Sequence, residues 1–185
     1  MELELVPLLR AIRTALRTSG VPHMLAGSVA SAAFGLIRAT QDIDIVIDPT
    51  AKTLDALLIQ FPEREYYVSA DAAHTALAHG GMFNIIALES LWKIDFIIRR
   101  HTPHGEVEFD RRLPLDVAGV TFDVATAEDS IISKLAWAAV GRSARQLEDV
   151  RALRTLRAGQ LDEAYLHQWI DRLGLTSLWQ EATGC

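Results

Sequence analysis

The period of the apolar positions changes along the chain, and each change marks a predicted element. Leu5, Leu8, Leu9, Ile12 and Leu16 recur at helical spacing, and Gly20 is a stop for that helix. Residues 21–26 read as a strand, Gly27-Ser28 as a turn, and the alanine-rich run 29–37 as a helix. From Asp42 the pattern alternates. Ile43, Ile45 and Ile47 take one face, assigned to the core, and Asp42, Asp44 and Val46 take the other. Thr50 is a predicted cap for a helix that Phe61-Pro62 ends. A short strand over 66–69 follows, then a short helix capped by Asp71 and broken by Gly80-Gly81. Runs 82–87 and 91–98 read as adjacent strands. Residues 106–112 fit a helix and a loop equally, and 113–117 with 120–124 form a hairpin around Ala118-Gly119.

From Thr126 onward the pattern is helical. Thr126 caps a helix with Glu128 and Asp129 in its first turn and Ile131, Ile132, Leu135 and Ala136 on its inner face. Ser143 and Gln146 form a capping-box pair for the next helix, which carries Leu147, Val150, Leu153 and Leu156. Asp162 opens a helix with Tyr165, Leu166, Trp169, Ile170 and Leu173, ended by Gly174, and a short terminal piece holds Trp179. The fold class is mixed α/β (α+β). A small mixed sheet with flanking helices occupies residues 1–125, and a helical half occupies 126–185.

Composition narrows the classes. A chain of 185 residues, half of them hydrophobic, buries enough surface to fold without disulfides. The single cysteine, Cys185, makes no disulfide framework and no Cys-type zinc site. No apolar run reaches the ~20 residues of a membrane span, and the acidic start lacks a signal peptide's basic region. A cytoplasmic protein with no membrane partner is expected. The net charge of −6 argues against broad binding to nucleic acid. The histidines show neither zinc spacing nor a Ser-His-Asp signature. Arg142, Arg145, Arg151, Arg154 and Arg157 are expected on a solvated face paired with Glu148 and Asp149, in preference to a cradle for phosphates or RNA.

Candidate chemistry lies in the Asp strand. Two carboxylates side by side at about 4 Å repel by roughly 1 kcal/mol in water and about 4 at an effective dielectric near 20. A divalent cation with oxygen ligands is the obvious compensation. Asp95, within Trp92-Lys93-Ile94-Asp95-Phe96-Ile97, sits in an apolar strand and is costly there unless bound to metal or paired with a neighbouring Arg or Lys. A helix start behind Gly27-Ser28 is a site for phosphate, and equally a plain strand-to-helix turn.

Gly27-Ser28, Asp42-Ile43-Asp44 and the later Asp95 together resemble the nucleotidyltransferase superfamily that includes DNA polymerase beta. The run Glu128–Leu135, with Arg145-Gln146-Leu147-Glu148-Asp149-Val150, is similar to the later motifs of the AbiEii-type nucleotidyltransferases, which include toxins of toxin–antitoxin systems. Where that group has an Arg-Asp pair this chain has Glu148-Asp149, which leaves the role of Asp149 open. The resemblance implies transfer of a nucleoside monophosphate from an NTP to an acceptor hydroxyl with release of pyrophosphate. It implies two Mg²⁺ ions held by Asp42, Asp44 and Asp95, with Asp95 nearest the acceptor and helping to deprotonate it. Gly27 and Ser28 would hold the β,γ-phosphates, and Lys134 would neutralise them. The acceptor would be RNA, such as a tRNA end, or a protein, as in the toxin group, with a small molecule, as in the antibiotic-type enzymes, as the alternative. A cognate antitoxin is a possible partner, and a non-catalytic, antitoxin-like binding protein of the same fold is the alternative of a different class.

Overall fold

The computed structural model describes residues 2–141 and 143–184, so Arg142 and Cys185 lie outside the described residues. The chain runs α1 (Glu2–Ser19), β1 (His23–Ala26), α2 (Gly27–Ala32), β2 (Asp42–Ile47), α3 (Ala51–Leu58), β3 (Tyr66–Val68), α4 (Ala70–His79), β4 (Met82–Ala87) and β5 (Lys93–Ile98). It continues with α5 (Pro103–Asp110), β6 (Leu113–Val117), β7 (Val120–Val124), α6 (Ala127–Gly141), α7 (Ala144–Leu156), α8 (Glu163–Arg172) and α9 (Thr176–Thr183). The strands form one mixed seven-stranded sheet in the order β3-β4-β5-β2-β1-β7-β6. β2 lies at its centre, antiparallel to β1 and parallel to β5.

The alternation along β2 explains its place. Ile43, Ile45 and Ile47 are fully buried, and they join Leu9, Ile12, Leu16, Leu54, Leu57 and Phe96 in the main core. Each such side chain contributes about 1.5–3 kcal/mol relative to exposure. That core lies on one face of the sheet, under α1, α3 and α4. A second core of Ile131, Leu135, Val150, Leu153, Leu166, Trp169 and Trp179 is built from α6 to α9.

Several local expectations change. β1 starts at His23, and β5 starts at Lys93 because Leu91 takes a positive φ of 58°. The helix after Gly27-Ser28 stops at Ala32, not Ile37, so residues 36–41 form a loop. Ser69, not Asp71, caps α4 by accepting from the Ala72 amide. Residues 103–110 are helical, capped by Thr102 with Pro103 in the first turn. Ala136 is exposed and Ala138 takes its place in the core. Ser143 sits at the N-cap of α7 without a side-chain cap hydrogen bond. Trp137, Leu156 and Leu173 are exposed in large part, although their spacing suits a core.

The helical half is tied to α5 by a buried polar cluster. Thr126 Oγ1 donates to Asp129 Oδ2 at 2.6 Å, Tyr165 donates its hydroxyl to Oδ1, and Arg111 Nε lies 3.3 Å from Oδ2. The Arg111 guanidinium also stacks 3.8 Å over the Tyr165 ring. Burial pushes the Asp129 carboxyl up, but His104, Thr126, Tyr165 and Arg111 together hold it below its ordinary value.

Candidate active site

Register decides which side chains meet. Across the parallel β2–β5 pair, Asp42 stands opposite Lys93 and Asp44 opposite Asp95. All four lie on the sheet face away from the main core, since their neighbours Ile43, Ile45, Ile94 and Phe96 are the buried positions. Lys93 Nζ bridges the carboxylates, 3.2 Å from Asp42 Oδ1 and 2.9 Å from Asp95 Oδ2. Asp95 is 5% exposed, and its other oxygen, Oδ1, is buried without a hydrogen-bond partner. Asp44 is pushed up to about 6, first by burial, then by the Asp95 and Asp42 charges, with Lys134 and Lys93 only partly offsetting them. Three carboxylates therefore face one bridging ammonium, and the site is short of positive charge.

Gly27 shapes this site in a way the motif does not announce. It has φ +65°, and a Cβ built on it would lie 1.8 Å from Asp44 Oδ2. Only glycine leaves room for the Asp44 carboxylate. Gly20 has φ +69° with nothing within 4 Å of such a Cβ, so it carries the same backbone requirement without the collision. Gly20→Ala is expected to cost about 1–2 kcal/mol from the left-handed backbone alone. Gly27→Ala is expected to cost clearly more, and urea melts of the two variants side by side check the difference.

Ser28 follows in the first turn of α2. Ala26 at the cap offers no side-chain acceptor, which leaves the first amides of α2 without one. Ser28, Asp42, Asp44 and Asp95 line one cleft of about 810 Å³ with Arg145 and Asp149 from the start of α7. Lys134 is placed differently. Its Nζ donates to Asp149 Oδ2 at 2.8 Å, both side chains are buried, and Lys134 does not itself line the cleft. Arg38 Nε lies 2.7 Å from Asp149 Oδ1 as an ion pair, off the line of a hydrogen bond, and Arg38 also reaches Glu148 at 3.4 Å. Asp149 is therefore the shared counter-ion of Lys134 and Arg38, and this pairing holds the 36–41 loop to α7.

The arginines of α7 divide their contacts. Arg145 donates to the Ala39 carbonyl, Arg151 to the Ala182 and Glu181 carbonyls, and Arg154 and Arg157 lie over the rings of Trp179 and Phe34. Glu148 pairs with Arg38, and Asp149 pairs with Arg38 and Lys134. Lys93 is the neighbour of Asp42 and Asp95 to which the sequence alone assigned no contact. Its signal was available, because position 93 shares a strand face with position 95 by simple alternation.

A divalent cation fits this donor set. The carboxylate oxygens are hard ligands, Asp95 has a buried oxygen with no partner, and Asp44 is held above its ordinary value by burial and then by the Asp95 and Asp42 charges. Among the described residues, no three acidic, histidine or cysteine side chains are gathered closely enough to ligate an ion as they stand. The Lys93 ammonium lies between two of the candidates.

No protein-family model matches the chain, and no curated protein sequence does. Solved structures do match. The solution structure of the antibiotic-resistance factor ANT(2'')-Ia aligns over 98% of this chain and 99% of its own, with TM-score 0.60 and 16% identity. The crystal structure of ANT(2'')-Ia in complex with adenylyl-2''-tobramycin aligns over 91% and 98%, again with TM-score 0.60 and 16% identity. An antigenic nucleotidyltransferase-like protein from Paracoccidioides brasiliensis aligns over 97% and 93%, with TM-score 0.57 and 16% identity. These likenesses show that the chain shares the fold of those proteins along nearly its whole length. No helix among the described residues is long and apolar enough to cross a membrane.

Proposed function

We propose that this chain is a divalent-metal-dependent nucleotidyltransferase that moves a nucleoside monophosphate from an NTP to an acceptor hydroxyl. The observation that carries the reading is the registered Asp44–Asp95 pair beside Asp42, in a cleft it shares with Ser28. Acids in such numbers, without matching cations, are expensive unless they serve a ligand.

Asp42, Asp44 and Asp95 would hold Mg²⁺, two ions on the resemblance. Bound there, the metal supplies charge neutralisation and polarisation of the phosphate oxygens. The chain's own residues do the rest. Ser28 and the first amides of α2 receive the β,γ-phosphates. Asp95 Oδ1, free of any partner, takes the proton from the acceptor hydroxyl as its oxygen bonds to the α-phosphorus. The bond from the α-phosphorus to the bridging oxygen breaks, and pyrophosphate leaves with that oxygen. Lys134 and Arg38 bring positive charge to the phosphate end of the cleft, with Asp149 holding both in place.

The acceptor is a small molecule in the reading favoured here. The net charge of −6 and the acidic cleft suit a neutral or cationic acceptor, and a protein of the same fold has been solved with an adenylylated tobramycin. RNA or protein acceptors with a cognate antitoxin, as in the AbiEii-type group, form the second reading, supported by the Glu128–Leu135 and Arg145–Val150 runs. Incubation with each α-labelled NTP, Mg²⁺ and a size-fractionated cell extract tests both. Label in the small-molecule fraction supports the first, and label in RNA or protein supports the second. No metal-dependent release of pyrophosphate with any NTP would remove the enzymatic reading.

A further inference from the structure

The sheet face that carries the carboxylates continues past them, and past β5 it is uncovered. β4 is antiparallel to β5, with Asn84 opposite Asp95 and Ile86 opposite Lys93. β3 is the edge strand, with Tyr67 opposite Ile86. Phe83, Ile85 and Ala87 are buried toward the main core, so Met82, Asn84, Ile86 and Leu88 share the opposite face with the catalytic acids. That face is open: Tyr67 is 56% exposed, Leu88 48% and Met82 47%.

We infer that this open face of β3, β4 and β5 is the seat of the acceptor, with Asn84 as the residue that positions its hydroxyl and Tyr67 and Ile86 as its floor. The inference rests on the transferase reading and gives that site its acceptor side. Strands lie about 4.8 Å apart, so Asn84 stands one strand from Asp95, and Tyr67, in the Ile86–Lys93 row, stands two strands or about 10 Å from Lys93 and about 12 Å from Asp95. That span accommodates two linked rings. Asn84 offers a donor and an acceptor to a hydroxyl held toward Asp95 Oδ1. The ring of Tyr67 and the branched side chain of Ile86 present an apolar floor to the flat side of a ring.

Charge selects the class of acceptor. Along β2, β3, β4 and β5 the only cation is Lys93, and it is already bound to Asp42 and Asp95. A phosphodiester strand laid across this face would meet three carboxylates and no free cation. A second copy of the chain, paired face to face, would bring the two sets of acids together. A neutral or cationic hydroxylated ring compound meets neither obstacle.

The test uses the full chain and three probes: tobramycin, the neutral disaccharide trehalose, and a single-stranded RNA oligonucleotide with a free 3′-hydroxyl. Binding is measured by titration calorimetry with saturating Mg²⁺ and a non-hydrolysable ATP analogue. At least one of the two ring compounds is expected to bind saturably. Its affinity should fall tenfold or more in Tyr67→Ala and in Asn84→Ala, with the affinity for the ATP analogue unchanged. Both positions are exposed, so both variants should melt as the wild type does. Failure of both ring compounds to bind, wild-type ring affinity in both variants, tighter binding of the RNA, or a dimer that Tyr67→Arg dissociates would each overturn the assignment. Absence of Mg²⁺-dependent binding of the non-hydrolysable analogues of ATP, GTP, CTP and UTP alike would instead remove the transferase reading beneath it, so the two failures are told apart.

Discussion

Asp44→Asn is expected to stabilise the metal-free protein and to abolish nucleotidyl transfer. In the folded chain the Asp44 carboxyl is pushed up to about 6 from 3.8, by burial first and then by Asp95 and Asp42. Between about pH 4 and pH 6 the folded state keeps a proton that the unfolded chain has lost, so stability falls as pH rises through that window and stays low above it. Two pH units correspond to about 3 kcal/mol. Asparagine keeps the shape and carries none of this cost. At pH 7.5 in EDTA the variant should gain on the order of 2–3 kcal/mol and melt roughly 5–10 °C higher. Below pH 4 the two proteins should converge. Coulomb repulsion alone would contribute about 1 kcal/mol; burial raises it. Transfer should drop by orders of magnitude because a ligand needed in the transition state is gone. Melts at pH 7.5 and pH 4, beside a pyrophosphate-release assay, decide the matter. A variant that melts lower in EDTA and still transfers nucleotide would make Asp44 a structural residue.

The second large effect belongs to Asp149→Ala. This change strands the Lys134 ammonium, which is 6% exposed and loses its 2.8 Å partner, and it releases Arg38 from its closer contact. Removing one member of a buried pair costs about 3–5 kcal/mol, so the melting temperature should fall by roughly 10 °C. The double variant Lys134→Met/Asp149→Leu removes both charges and should recover most of that loss, with Arg38 retaining Glu148. The same protein then separates fold from function. If Lys134 serves the phosphates, the folded double variant binds MgATP at least tenfold more weakly than wild type. A double variant as unstable as the single one would show that Asp149 is more than a counter-ion. Wild-type affinity for MgATP would take Lys134 out of the nucleotide site.

How much of this was legible beforehand follows from which interactions are local. The alternation in Asp42–Ile47 placed Ile43, Ile45 and Ile47 in the core and the two acids on the other face, because a strand's period is a property of the backbone itself. Thr50 at the start of α3, Gly80 at the end of α4 and the hairpin at Ala118-Gly119 were equally local, since caps and turns need only neighbours in sequence. Expectations failed for two reasons. Gly35, at φ 92°, is a local stop for the alanine-rich helix, which a helix to Ile37 overruns; Ala136 suits a helix's inner face, yet the partners of α6 bury Ala138, which packing alone decides.

By itself, then, the sequence determined most element types, though not α5, together with the core face of β2 and three acids of suitable chemistry. Only the tertiary structure decided that β5 lies parallel beside β2 in the register that sets Asp44 against Asp95 and Asp42 against Lys93. It also decided that Gly27 is there to make room for Asp44, that Asp149 holds Lys134 and Arg38 together, and that β4 lays Asn84 beside the acids on an open face. Each of these pairs residues that are distant in the chain. Strand pairing and register are settled by the burial of whole apolar faces at once, and no single segment carries that information.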